Sequence, residues 1–96
     1  MLIHIVLFEV KPGAADADVE KLITEARGKL TQIPGVVNLK AGWVTFPDAP
    51  YRVALSMEVP GKEGLEVYRN HPIHKDYVEN VILPVEKSRT VIDFEA

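Results

Sequence analysis

Nearly every position from Leu2 to Val10 is apolar. In an extended chain Leu2, His4, Val6, Phe8 and Val10 share one face, and Ile3, Ile5 and Leu7 the other. A strand with one wet face alternates apolar with polar residues. A run apolar on both sides therefore predicts a strand covered on both sides.

Lys11-Pro12-Gly13 ends this segment. Val19, Leu22, Ile23, Ala26, Leu30 and Ile33 then recur at three- and four-residue spacing, the stripe of an amphipathic helix. Asp16 or Asp18 is its expected cap, and Lys21, Glu25 and Lys29 lie four apart on a solvated face. Pro34-Gly35 stops it.

A second strand is expected from Val36 to Phe46, with Val37, Leu39, Ala41 and Trp43 on one side and Gly42 marking a bulge or close approach. Pro47-Asp48-Ala49-Pro50 turns the chain into a third strand, Tyr51 to Val59, apolar at Tyr51, Val53, Leu55, Met57 and Val59. After Pro60-Gly61 a short helical segment, Glu63 to Asn70, carries Leu65, Val67 and Tyr68. His71-Pro72 restarts the chain as a further helix, because proline disfavours helix before it and suits the first helical position. Pro84 ends that helix, and Val85 to Glu95 reads as the last strand.

Strand, helix, strand, strand, helix, strand is the order of a ferredoxin-like βαββαβ fold, an α+β antiparallel sheet with its helices on one face. Such an arrangement leaves Ile3, Ile5 and Leu7 on the helix-free side. An apolar patch there marks an interface, and two sheets packed face to face would bury it as a dimeric α+β barrel. The expected partner is a second copy of the chain.

Composition narrows the partners. At 96 residues the chain fits one domain, residues 1–96, with a thin core that gains from a second apolar interface. A net charge of -3, with 11 scattered Lys and Arg, gives no basic face for nucleic acid. The opening apolar run meets Glu9 and Lys11, too early to span a bilayer, so no membrane association is expected. With no cysteine there is no thiol chemistry, and a cytoplasmic location is the expectation.

An ordered set of segments resembles the stress-responsive dimeric A/B barrel family. They are His4-Ile5-Val6-Leu7-Phe8, Ile33-Pro34-Gly35-Val36, Val53-Ala54-Leu55, Tyr68-x-x-His71-Pro72-x-His74 and the terminal Asp93-Phe94. One branch of that family, plant polyketide cyclases of the olivetolic acid type, closes a ring by aldol condensation without a cofactor. By resemblance Tyr68 and His74 match its catalytic pair, and His4 a pocket histidine. Val53 stands where those cyclases carry a further histidine.

The chemistry agrees with the resemblance. An imidazole at position 74 can take an acidic proton from between two carbonyls, and a phenol at 68 can stabilise the resulting oxyanion. Each residue also has a plainer reading. Tyr68 serves as a packed aromatic, His74 as an exposed first-turn residue, and His4 as a hydrogen-bonded core histidine. His71 reads first as a helix cap or turn residue, and with His4 and Val53 as a candidate ligand contact. His71 and His74 lack the further ligands that a metal site needs, so neither metal nor cofactor is expected.

Three functions fit this reading. One is a homodimer holding a small apolar or aromatic molecule, with or without cofactor-free cyclase or isomerase chemistry. The second is a non-catalytic, stress-related assembly. The third, on fold analogy alone, is a cofactor-free or haem-handling monooxygenase.

Overall fold

The computed structural model describes residues 1–96. Four strands, β1 (Leu2–Val10), β2 (Val37–Trp43), β3 (Val53–Val59) and β4 (Glu86–Glu95), form one sheet in the order β2-β3-β1-β4. Every neighbouring pair is antiparallel. The helices are α1 (Asp16–Lys29), α2 (Gly61–Asn70) and α3 (Pro72–Tyr77), the last continuing as a π-helical turn over Val78–Ile82. This is the ferredoxin-like fold.

The two faces of β1 separate as its alternation requires. Leu2, His4, Val6 and Phe8 are buried beneath the helices, and Ile3, Ile5 and Leu7 on the opposite face are half-buried. Cross-strand pairing fixes their neighbours. Ile3 lies opposite Phe94, and Ile5 opposite Ile92, both on the helix-free side. Phe94 and Ile92 are nearly half exposed.

The stripe on α1 accounts for its packing, because Val19, Leu22, Ile23 and Ala26 are all at most 2% exposed. Burying a side chain of this size contributes roughly 1.5–3 kcal/mol, so α1 anchors its half of the core. Its cap is Ala15, with no side-chain hydrogen bond. Asp16 and Asp18 stand inside the first turn instead, where their charge favours the positive end of the helix dipole. One 3₁₀ turn, Leu30–Gln32, follows, and Gly35 at φ +89° turns the chain toward β2.

Strand β2 is shorter than its apolar pattern implied, and its faces are divided differently. The pairing shifts between Val37 and Lys40, leaving Asn38 in the left-handed region at φ +53°. An extra residue in one strand reverses the alternation beyond it. Ala41 and Trp43 therefore face the helices, whereas Val37 pairs with Glu58 on the other side and is exposed. The irregularity is at Asn38-Leu39, and a Cβ at Gly42 would meet nothing within 4 Å. Trp43 is 41% exposed; its indole N–H donates to Glu20 and Arg52 lies over its ring. It is an edge residue rather than core.

Candidate functional site

Helix α2 brings Tyr68 to the sheet. Gly64, Leu65 and Tyr68 form its buried face. A Cβ on Gly64 would come within 2.5 Å of the Pro60 ring, so only glycine permits this close seating. The helix ends at His71, which is extended at φ -70° and ψ 137°, and Pro72 occupies the first turn of α3. His71 Nδ1 accepts the Ile73 N–H at 3.1 Å, which makes it the cap of α3.

That break returns the chain over α2 and sets His74 against Tyr68, with ring centroids 4.4 Å apart. His4, from the central strand, meets the other edge of Tyr68 at 5.6 Å in a T-shaped arrangement. Three of the sequence candidates thus share one wall. Two do not. His71 is spent on its cap, and Val53 is fully buried between Phe8 and Trp43 on the neighbouring strands. Neither lines the cavity beside Tyr68.

This cavity has a volume of about 400 Å³, within the roughly 300–1,000 Å³ typical of small-molecule sites. Val6, Phe8, Leu55, Tyr77, Ile82 and Val91 supply its apolar lining, and His4, Tyr68, Arg69, His74 and Arg89 complete it. It opens beside β4, where Val91 on the helix-facing side is 44% exposed.

Hydrogen bonds set the proton positions. His74 Nδ1 lies 3.2 Å from the Arg69 carbonyl, which can only accept. His74 therefore donates from Nδ1, and in the neutral ring Nε2 is a free acceptor. Burial lowers the pKa of His74 below the ordinary histidine value. The Arg69 carbonyl opposes that shift, while the charges of His4, Arg89 and Arg69 add to it. Near neutral pH His74 is an uncharged base. Burial pushes the Tyr68 phenol well above the ordinary tyrosine range, against the nearby charge of Arg89, so it stays a hydrogen-bond donor. No hydrogen bond to protein holds the Tyr68 hydroxyl, although the ring is only 2% exposed.

His4 is fixed from behind. Its Nδ1 meets Asp93 Oδ1 at 2.5 Å, and Asp93 Oδ2 lies 3.6 Å from Arg69. A carboxylate can only accept, so His4 donates to it from Nδ1. Arg69, Arg89 and Asp93 were not read from sequence as site residues; Asp93 entered only within its terminal dipeptide. For Arg89 and Asp93 the signal was available on β4. Thr90, Ile92 and Phe94 form the outer face, so Arg89 and Asp93 place charge toward the helices, where charge is unusual. No group of three His, Asp or Glu side chains is disposed to hold a metal ion.

A ferredoxin-like sheet with a largely apolar cavity under its second helical segment defines a small α+β domain. The profile of the Stress responsive A/B Barrel Domain family matches residues 2–96, and the chain belongs to that family. No protein among those curated for function matches it in sequence.

Solved structures agree on the fold. A Dabb family protein with a ferredoxin-like fold from Mesorhizobium loti superposes with a TM-score of 0.85 at 23% identity, covering 99% of this chain and 95% of that one. A dimeric ferredoxin-like protein of unknown function from Thermobifida fusca gives 0.88 at 26% identity, covering 99% and 90%. Hydroxynitrile lyase from Passiflora edulis gives 0.83 at 13% identity, covering 97% and 90%. No helix of the chain is long and apolar enough to cross a membrane.

Proposed function

We propose that this domain works as a homodimer whose subunits each hold a small, largely apolar or aromatic molecule in the cavity beside Tyr68. The observation that carries the reading is the combination in one cavity of an apolar lining with a phenol that has no protein hydrogen-bond partner. A hydroxyl that borders a cavity and makes no bond to protein can donate to a ligand oxygen. A melting screen with small aromatic and alkyl ketones, esters and acids tests this. Binding to the native state raises the melting temperature, and Tyr68→Phe should reduce that rise. If no compound shifts the wild-type transition at millimolar concentration, the reading fails.

The assembly rests on the helix-free face. Ile3, Ile5 and Leu7 are half-buried there, and Ile92 and Phe94 extend the apolar patch across β4. A second sheet laid on this face would remove the patch from water, and the Thermobifida relative is described as dimeric. Ile5→Lys should yield a folded monomer by sedimentation. A wild-type chain that sediments as a monomer at micromolar concentration would refute the assembly.

A second reading is supported by the free Nε2 of a neutral His74 packed at a tilt against a protonated Tyr68. That pair suits cofactor-free proton abstraction next to a carbonyl, with the phenol donating to the enolate oxygen. Deuterium exchange at the methylene of ethyl 3-oxohexanoate is a direct assay. His74→Gln should abolish the enzymatic exchange while leaving the fold intact, and undiminished exchange would remove His74 from the role.

A further inference from the structure

The chain is acidic overall, at -3, yet no Asp or Glu lines the cavity. Four of the eleven lining residues are instead His4, Arg69, His74 and Arg89. The carboxylates beside these groups stand outside the lining; Asp93 hydrogen-bonds His4, whereas Glu86 Oε2 lies beside Arg89 without a hydrogen bond. Asp93 meets His4 and Arg69, and Glu86 meets Arg89 at 3.2 Å. The contact from Arg89 uses Nε, which leaves both η-nitrogens for another partner. Arg69 approaches Asp93 through one η-nitrogen at 3.6 Å, longer than a hydrogen bond. Both guanidinium side chains are partly exposed, 47% for Arg69 and 34% for Arg89. They come from different elements, the end of α2 and the middle of β4, and flank the same apolar space.

We infer that the cavity selects monoanionic ligands, a carboxylate on an apolar or aromatic body, with Arg89 and Arg69 clamping the anion and the body lying against Val6, Phe8 and Leu55. This inference rests on the proposed ligand-holding role and specifies its chemistry. Guanidinium is suited to the task because its planar fork matches a carboxylate, and a charge-assisted bond at a partly desolvated site discriminates strongly against a neutral isostere. The apolar floor makes a bare inorganic ion a poor fit, since it would leave that surface unused. A substituted ring fits within the cavity volume of about 400 Å³.

Calorimetric titration of the full-length protein with 4-butylbenzoate, 4-butylbenzamide and acetate tests it. The benzoate should bind at least about tenfold more tightly than the isosteric amide, as one or two charge-assisted bonds imply. Acetate should bind weakly, having the anion without the body. Arg89→Gln should weaken benzoate about tenfold or more and leave the amide unchanged, and Arg89→Lys should restore part of the loss. Lys21→Gln, on the solvated face of α1, should change neither. Equal affinity for benzoate and amide would overturn the anion clamp while leaving the pocket in place. Wild-type benzoate affinity in the Arg69→Gln, Arg89→Gln double variant would overturn it as well. If neither aromatic compound binds, the pocket reading fails, and the clamp with it.

Discussion

The two ends of the helix–sheet interface are packed differently, and their tyrosines make the contrast plain. Under α1 the space is filled, with Val19, Leu22, Ile23, Ala26 and Val53 almost fully buried. There the Tyr77 hydroxyl donates to the Leu22 carbonyl at 2.6 Å and ties α3 to α1. Under α2 and β4 the space remains open, and the equally buried Tyr68 donates to no protein group. Both phenols are held protonated by burial. The same side chain is structural where its oxygen is satisfied and available where it is not. One half of the core is filled and cross-tied, and the other leaves a hollow beside an unpartnered phenol.

Large-to-small substitutions should separate the halves most. Leu22→Ala is expected to cost about 2–5 kcal/mol in urea unfolding, because the filled side cannot collapse around the loss. Ile82→Ala, on the wall of the open cavity, should fall at or below the lower end of that range. Equal large losses would mean that the cavity wall is as rigidly packed as the α1 side.

Removing the hydroxyls comes next. Tyr77→Phe should cost about 1 kcal/mol through its lost buried bond, whereas Tyr68→Phe should stay within about 0.5 kcal/mol of wild type. A destabilised Tyr68→Phe would show that its oxygen has a structural partner.

The smallest expected effect is on pH dependence. His74 has a folded pKa below 6.5, so the unfolded chain binds its proton more readily. Its contribution to stability is therefore complete above the ordinary value and is lost as pH falls through it toward the folded value. His74→Gln should flatten the slope of unfolding free energy below about pH 6.5. An unchanged slope would locate the acid sensitivity elsewhere.

Much of the fold could be read because it obeys simple periods. The two-sided run of β1 and the stripe of α1 are dictated by alternation and by 3.6-residue spacing, and both elements form as those patterns require. Strand β2 escaped because one left-handed residue, Asn38, resets the alternation. Asparagine tolerates that conformation, but nothing in the surrounding pattern demands it.

At the site, the Tyr68–His74 approach was legible as a helix break at His71-Pro72, and the cap role of His71 followed from the same dipeptide. The His4–Asp93 bond was not, since it joins residues 89 positions apart. Such contacts depend on which strands become neighbours, and local sequence carries no record of that.

Strand β4 runs along the edge of the sheet with Arg89, Val91 and Asp93 turned one way and Thr90, Ile92 and Phe94 the other. Sliding it by a single position against β1 would swap the two sets, hiding grease where charge belongs and baring charge where grease belongs. One alignment of one ribbon thus sets both which side chains border the hollow and which lie on the back of the sheet.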